Sequence, residues 1–272
     1  FLDTANVYGM GISEQIIGSF LKGHALGFTI ATKAGIWRNP ETGKRGFNNK
    51  PEYLRKELEG SLNRLGLEAV DLYYIHRRDQ DVQIEDLMET LLAFKAEGKI
   101  RGIGFSEIAP ATLRRAVAVG TVDAVQSEYS LWTRQPEMGM IQTCKELGVA
   151  FVPFSPLGRG MFTATPPDPS TFAKGHFRTG TPRFTEPNFS NNVRAIDGFR
   201  ALAQDLNTTP TALAIAWCLA QGDHLIPIPG TRSAKHLADC VSGSQFDMTP
   251  DLLAEIEARL PLGWAHGDRY SN

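Results

Sequence analysis

Four residues in the first third of the chain have the chemical types needed for acid–base work on a carbonyl group. Asp3, Lys33 and His76 each stand at the end of a short apolar run, and Tyr8 follows the first run in a loop. Taken singly, such residues are more often helix caps, solvated charges or packing groups. A catalytic interpretation therefore depends on all four meeting at the same edge of the fold.

The four side chains have complementary roles in such chemistry. A free tyrosine has a pKa near 10, too high for easy proton exchange at neutral pH. A nearby ammonium is expected to lower the pKa of Tyr8 by favouring its phenolate. A carboxylate such as Asp3 would hold that ammonium in place, and a histidine would orient the substrate oxygen.

Short β-type runs recur along the whole chain. Each is apolar on both faces, which is typical of parallel strands buried between layers. The predicted strands are Phe1–Ala5, Phe28–Lys33, Val70–His76, Ile100–Ser106, Ala124–Tyr129, Ala150–Ser155 and Leu225–Ile228.

Helical patterns fill the intervals between these runs. Ser13 is a predicted N-cap, and further helices are predicted to start at Thr209-Pro210 and near Ser233. Pro51 is predicted in the first turn of a helix that Gly66 ends. Strict alternation of strands and helices predicts a parallel sheet.

An open doubly wound sheet and a closed barrel both fit this alternation. No strand is followed by GxGxxG, and polar residues end every strand rather than cluster at one switch point. We therefore expect an α/β fold of the (β/α)8 TIM barrel type, with 1–272 as one domain. Because seven strands are visible rather than eight, we expect the first strand and helix, about 40 residues, to be missing from this chain. Residues 165–192, rich in proline, are predicted to be a lid-like loop.

Composition excludes several classes of partner. The net charge of −2 gives no reason to expect nucleic acid or an anionic membrane. No apolar stretch is long enough to span a bilayer, and no metal-ligand spacing is visible. The widely spaced Cys144, Cys218 and Cys240 are interpreted as reduced thiols of a cytoplasmic protein.

Seven motifs occur in register over essentially the whole chain, and together they resemble the aldo-keto reductase family. The resemblance is strongest to its longer-chain, NADPH-preferring branch, which includes perakine and pyridoxal reductases. The motifs are Phe-Leu-Asp-Thr-Ala-x-x-Tyr-Gly-x-Gly-x-Ser-Glu (1–14), Ala-Thr-Lys (31–33), Val-Asp-Leu-Tyr-Tyr-Ile-His (70–76), Ile-Gly-Phe-Ser (103–106), Val-Gln-Ser-Glu-Tyr-Ser (125–130), Phe-Ser-Pro-Leu-Gly-Arg-Gly (154–160) and Ile-Pro-Gly-Thr-Arg (228–232).

The resemblance implies an NADPH-dependent enzyme that reduces aldehydes or ketones to alcohols. Tyr8 would be the general acid, Lys33 would lower its pKa, Asp3 would pair with Lys33, and His76 would position the carbonyl. Hydride would pass from the nicotinamide to the carbonyl carbon. The substrate would be a small carbonyl compound, and the oligomeric state is left open.

The resemblance also implies a cofactor site. Ser106 and Gln126 would hold the nicotinamide carboxamide and Tyr129 would stack on its ring, with Glu107 standing where many members have asparagine. The remaining contacts implied are to the pyrophosphate (Ser155, Leu157, Gly158, Arg159 and Gly160), to the 2′-phosphate (Gly230, Thr231, Arg232 and His236) and to adenine (Asp239 and Cys240).

Two other functions fit parts of the sequence. A nicotinamide-binding regulatory subunit with little turnover would keep the same four residues. An unrelated barrel enzyme, such as a phosphate-binding lyase, would account for Lys33 and His76 but not for Tyr8 or for residues 154–160.

Overall fold

The computed structural model describes residues 1–24, 27–39 and 41–271. The strands in these residues are short, and six of the seven predicted ones lie within one or two residues of their expected ends. They are β1 (Leu2–Asp3), β2 (Ile30–Ala34), β3 (Ile36–Arg38), β4 (Arg45–Phe47), β5 (Val70–Ile75), β6 (Ile100–Ser106), β7 (Ala124–Glu128) and β8 (Ala150–Phe154).

Helices fill most of the intervals between the strands. They are α1 (Ile12–Gly23), α2 (Pro51–Leu65), α3 (Ile84–Ala96), α4 (Pro110–Val119), α5 (Met140–Leu147), α6 (Asn188–Asp205), α7 (Pro210–Leu219), α8 (Ala234–Ser242) and α9 (Pro250–Arg259).

The predicted helix ends are confirmed at four places and wrong at one. Thr209 and Ser233 cap α7 and α8 through their hydroxyls, Pro51 opens α2, and Gly66 ends it with a φ of 69°. Ser13 lies inside α1, where its hydroxyl bonds that of Thr4 instead. The turn before α1 is tight, so a glycine, Gly11 at φ 95°, takes the N-cap position.

The main sheet has six strands in the order β1-β2-β5-β6-β7-β8. The pairs from β1 to β7 are parallel, with Leu2 opposite Ile30 and Ala31 opposite Leu72. The predicted strand Leu225–Ile228 contributes one parallel bridge, from Ile228 to Phe154. This sheet fits an α/β barrel, and closure with eight strands stays a prediction.

The chain falls into two compact units. Unit 1 comprises Phe1–Ser127 and Gly139–Phe151, and unit 2 comprises Glu128–Met138 and Val152–Asn272. The core of unit 1 is built from strand residues such as Tyr73 and helix residues such as Leu58, both fully buried. The core of unit 2 contains a cluster of aromatic rings in which Phe162 packs edge-on against Phe199 and Trp264.

A hairpin and two helices, α6 and α9, were not predicted from the sequence. β3 and β4 form an antiparallel hairpin after β2. Helix α6 begins at Asn188, inside the segment 165–192 that was predicted to be a loop, and the earlier part of that segment is a chain of 3-10 turns.

The described helices include none long and apolar enough to cross a membrane. Within the same residues, no group of three or more His, Cys, Asp or Glu side chains is arranged to hold a metal ion.

Gly104 in β6 lets the ring of Tyr74 in the neighbouring strand lie directly against the backbone. A Cβ atom at position 104 would come within 2.5 Å of Cε1 of that ring. Both residues are buried, and the ring centre of Tyr74 lies 5.8 Å from Nζ of Lys33. Glycine at position 104 therefore allows the Tyr74 ring to pack in this place beside Lys33.

Gly104→Ala should lower the free energy of unfolding by about 1–3 kcal/mol, because the new methyl group forces the Tyr74 ring to move. Urea unfolding of both proteins measures the difference. Gly23→Ala is the matched control, since nothing lies within 4 Å of a Cβ atom there. Equal stability of the two variants would contradict this account.

Candidate active site

Lys33 is the buried centre of a polar cluster in unit 1. Its side chain is fully buried, and Nζ donates to Oδ1 of Asp3 and, at 2.8 Å, to the carbonyl oxygen of Thr4. The other oxygen of Asp3 accepts from Nε2 of Gln126 at 2.9 Å. The ammonium is thus neutralised by one carboxylate whose other oxygen is also hydrogen-bonded, which offsets part of the cost of burying the ion pair.

Tyr8 lies next to this pair but faces solvent. Its side chain is 40% exposed, and Nζ of Lys33 lies 5.1 Å from the centre of its ring. The three residues that follow have left-handed backbones, with φ of 59° at Gly9, 54° at Met10 and 95° at Gly11. This tight turn places the phenol at the rim rather than in the core, where a ligand can reach its hydroxyl.

His76 follows β5 and completes the cluster. Its ring packs edge-on against that of Tyr8, with the centres 5.7 Å apart. Burial, together with the charges of Lys33 and Arg77, lowers the pKa of His76 to about 3. The imidazole is therefore neutral at physiological pH. Its Nδ1 atom is buried without a hydrogen-bond partner among the described residues, so the protein does not use up its hydrogen-bonding capacity.

Arg77 is a site residue that the sequence analysis missed. One of its terminal nitrogens donates to the carbonyl oxygen of His76 at 2.6 Å and to the hydroxyl of Ser106 at 3.0 Å. It therefore links two strand ends of the site. The His-Arg-Arg-Asp run after β5 was visible in the sequence, but nothing in it showed which arginine turns inward.

A second buried charge supports the strand that carries Lys33. The carboxylate of Glu14 is fully buried and accepts from the hydroxyl of Thr32 at 2.5 Å and from Nε of Arg64 at 2.7 Å. Thr32 directly precedes Lys33, so this pair fixes the backbone next to the ammonium.

Ser106, Glu107 and Gln126 were predicted to contact a cofactor carboxamide, and all three lie in unit 1 at the ends of β6 and β7. The amide of Glu107 donates to the carbonyl of Gln126 at 2.9 Å, and Glu107 has a left-handed φ of 54°. Ser106 and Gln126 are buried and already bonded to Arg77 and Asp3. Their hydroxyl and carbonyl oxygens keep further hydrogen-bonding capacity for an amide.

In unit 2, the turn after β8 has the left-handed backbone expected of a Gly-rich loop. Ser155, Gly158, Arg159 and Gly160 have φ of 52°, 55°, 55° and 101°. The amides of Gly158 and Gly160 donate within the turn, to the carbonyls of Ser155 and Leu157. These two N–H groups are therefore already hydrogen-bonded within the turn in this conformation.

Arg159 also differs from its expected role. It is 8% exposed, and its guanidinium bonds Oε2 of Glu128 at 2.8 Å. Arg159 was predicted to contact the cofactor pyrophosphate. In this structure its positive charge is offset by the buried carboxylate of Glu128.

A second part of unit 2 has the donors needed for a phosphate. An open pocket of about 450 Å³ is lined by Gly230, Thr231, Arg232, Ser233 and His236. Arg232 and His236 are exposed, and the pocket lies at the N-terminus of α8, whose first amides favour an anion. Cation, hydroxyls and helix terminus together fit the phosphate of a dinucleotide.

Tyr129 and Cys240 were also predicted to contact the cofactor. Both are buried: the Tyr129 hydroxyl donates to Glu137, and its ring packs at a tilt on Trp217. Burial also raises the pKa of the Cys240 thiol. Asp239 is half-buried and accepts from the hydroxyl of Thr209 at 2.6 Å, so adenine would have to share it.

Phe154 ends β8 and keeps part of its ring exposed. The sequence analysis overlooked it because a phenylalanine in an apolar run indicates core packing. Its position at a strand end, directly before Ser155, was the available signal.

Comparisons with known proteins agree with one another. A family model described as the aldo/keto reductase family matches residues 1–260. The NADP(+) aldo-keto reductase yakc of Schizosaccharomyces pombe is 39% identical over 99% of this chain and 81% of its own length. A probable aldo-keto reductase 1 of Glycine max is 40% identical over 100% of this chain and 78% of its own length.

Solved structures are similar as well. The glycerol dehydrogenase AKR11B4 of Gluconobacter oxydans matches with a TM-score of 0.87 and 29% identity, over 95% of this chain and 81% of its own. The holo form of AKR11C1 from Bacillus halodurans gives a TM-score of 0.79 at 24% identity, over 95% and 82% of the two chains, and supports the fold.

The depressed pKa of His76 predicts how stability depends on pH. Between pH 6.5 and about 3 this histidine binds a proton only in the unfolded chain, so acidification favours unfolding. From pH 7 to pH 5 the wild type should lose about 2 kcal/mol more free energy of unfolding than His76→Gln. Urea unfolding of both proteins at the two pH values measures this difference, and parallel losses would show that His76 titrates normally in the native state.

Proposed function

The chain belongs to the aldo/keto reductase family, and on that premise we propose that it is an NADPH-dependent oxidoreductase that reduces aldehydes or ketones to alcohols. The observation that carries the proposal is the cluster of Asp3, Lys33, Tyr8 and His76 in unit 1. It combines a buried, neutralised ammonium with an exposed phenol and a neutral imidazole. We further propose that the fold is a (β/α)8 barrel and that the protein is cytoplasmic, the latter because its three cysteines are free thiols.

Tyr8 is the proton donor in this proposal. Its hydroxyl gives a proton to the carbonyl oxygen as that oxygen becomes an alkoxide, which leaves a phenolate on the ring. The Lys33 ammonium, 5.1 Å from the ring centre, stabilises that negative charge. Asp3 and the Thr4 carbonyl keep the ammonium in position, so it need not reorganise during the reaction.

His76 acts as a hydrogen-bond donor and not as an acid. With its pKa lowered to about 3, the ring carries one N–H and no net charge at neutral pH. It can therefore orient the substrate oxygen next to Tyr8 without competing with Tyr8 to protonate it. Bound NADPH would supply the hydride.

The pocket beside α8 supports NADPH as the cofactor. Arg232 and His236 are exposed cationic or hydrogen-bonding groups there, and Thr231 adds a hydroxyl. The Schizosaccharomyces pombe relative carries NADP(+) in its name. Phe154 is only partly buried, so it is better placed than the fully buried Tyr129 to contact a planar ring.

Tyr8→Phe should reduce the rate of aldehyde reduction about 10²–10⁴-fold, the usual contribution of a general acid, while NADPH binding stays nearly unchanged. The assay follows the loss of NADPH absorbance with a panel of aldehydes, and fluorescence titration measures NADPH binding.

Tyr74→Phe is the matched control. Tyr74 lies at a similar distance from Lys33, 5.8 Å, but it is fully buried and its hydroxyl has no hydrogen-bond partner among the described residues. It should retain the wild-type rate. If Tyr8→Phe also retains most of the rate, Tyr8 is not the acid. A regulatory protein with little turnover would instead show a wild type as slow as Tyr8→Phe.

Arg232→Gln should raise the Kd for NADPH about 10-fold or more and leave the Kd for NADH nearly unchanged, because only NADPH carries the 2′-phosphate. Isothermal titration with both cofactors measures this. Lys235→Gln removes the same charge from the first turn of α8 at a residue that does not line the pocket, and it should change neither value greatly. A parallel loss of affinity for both cofactors in Arg232→Gln would contradict the assignment.

A further inference from the structure

Arg178 lies in the segment between β8 and α6 and has no acidic partner. The hydrogen bonds and ion pairs of residues 1–24, 27–39 and 41–271 include none to its guanidinium, and its Nε atom is buried without a partner. An arginine in such a position has five N–H donors to satisfy. Two other buried arginines of unit 2 do have such partners. Arg159 bonds the carboxylate of Glu128, and Arg183 bonds the carbonyl oxygen of Trp132.

Three aromatic rings surround this guanidinium. Its carbon lies 5.5 Å from the ring centre of Phe172, 5.6 Å from that of Phe177 and 5.7 Å from that of Phe184. Ring faces stabilise a cation, but they accept no in-plane hydrogen bonds. The cage therefore fixes the side chain and leaves the edge of its planar fork available to a ligand.

The surroundings of Arg178 already carry excess positive charge. Burial lowers the pKa of Arg178, and the nearby charge of Arg159 lowers it further. Arg159 and Arg269 share the carboxylate of Glu128, and Arg183 is bonded to neutral oxygens, with attraction from Glu128 and Asp268. Four guanidinium groups thus face two carboxylates in this part of unit 2, so a bound anion would lower the electrostatic energy.

The free edge of Arg178 lies next to the turn after β8. A Cβ atom on Gly160 would lie 3.9 Å from Nη2 of Arg178. The Gly160 backbone therefore lies close to this end of the guanidinium, with the Pro167 ring at a similar distance from the same position. The terminal nitrogens of Arg178 form a planar fork that suits the two oxygens of a carboxylate or phosphoryl group.

We propose that Arg178, held in its phenylalanine cage beside Gly160, is a binding site for an oxyanion, either a phosphoryl group or a carboxylate. The oxyanion would come from the phosphates of the dinucleotide or from an acidic group on the substrate. In both cases the inference rests on the proposed function for its biological meaning, although the site itself can be tested without turnover.

The first arm of the test uses inorganic pyrophosphate. Isothermal titration in low-salt buffer and the rise in Tm on adding pyrophosphate are measured for the wild type, Arg178→Gln and Lys174→Gln. Lys174 is exposed on the same segment and makes no ion pair or cation–π contact among the described residues, so its variant controls for the loss of one charge. Arg178→Gln should weaken pyrophosphate binding roughly 10-fold or more, the order of one charge-assisted hydrogen bond, while Lys174→Gln should bind as the wild type does.

A stability measurement separates this site from a structural role. Without added anion, Arg178→Gln should keep the wild-type Tm or exceed it, because the substitution removes a desolvated charge that Arg159 repels. Loss of Tm in anion-free buffer together with unchanged pyrophosphate binding would mean that Arg178 is a packing residue, and would overturn the proposal.

The second arm identifies the source of the oxyanion. If the dinucleotide supplies it, Arg178→Gln raises the Kd for NADPH and for NADH by the same factor. If the substrate supplies it, the variant raises the KM for 4-carboxybenzaldehyde and leaves that for benzaldehyde unchanged. Arg178→Gln and Lys174→Gln behaving alike with pyrophosphate, with both cofactors and with both aldehydes would overturn the proposal. A wild type that binds pyrophosphate through Arg178 yet reduces no aldehyde would count against the proposed function only.

Discussion

The neutralisation of the Lys33 ammonium inside unit 1 is the constraint on which the rest of the site depends. A buried ammonium without a partner costs several kcal/mol, so Lys33 is tolerated only where a carboxylate and a carbonyl reach it. The parallel pairing of β1 with β2 meets this condition, since it sets Asp3 opposite Ala31, two residues before Lys33. Glu14 then holds the backbone next to Lys33 through its bond to Thr32, and Gln126 holds the carboxylate of Asp3.

The buried Lys33 ammonium also sets different environments for Asp3, His76 and Tyr8. Each oxygen of Asp3 is engaged, one by Lys33 and the other by Gln126, so in the proposed mechanism Asp3 serves to hold the ammonium. His76 is kept neutral by burial and by neighbouring cations, so only Tyr8 combines exposure with a labile proton. The arginines of unit 2 lie in two kinds of environment. Arg159 is buried and pairs with Glu128, whereas Arg232 is exposed to solvent.

The sequence was sufficient for features that depend on local pattern. Apolar runs located the parallel strands, and the strand ends located Asp3, Lys33 and His76, because the carboxyl ends of parallel strands meet at one edge. The hairpin of β3 and β4 was missed since each strand has only three residues. Helix α6 was missed because its first turn, rich in asparagine, follows a proline-rich stretch and lacks an apolar stripe.

Features that depend on distant partners could not be predicted. Whether Arg159 is free or neutralised is decided by Glu128, 31 residues away, and whether Arg77 faces the site is decided by Ser106. Tyr129 and Phe154 are both aromatic and both near strand ends, and only the packing of Trp217 shows that Tyr129 is enclosed. Charge compensation and burial are properties of the folded neighbourhood and leave no local signature.

The left-handed turn at residues 9–11 affects both the stability of the protein and the position of Tyr8. Met10 is the one residue of that turn with a side chain, and its φ of 54° is a conformation that glycine or asparagine adopts at lower energy. A position that invites a stabilising substitution therefore stands two residues from the Tyr8 phenol. If Tyr8 is the proton donor we propose, selection for stability and selection for rate act on the same few dihedral angles at this turn.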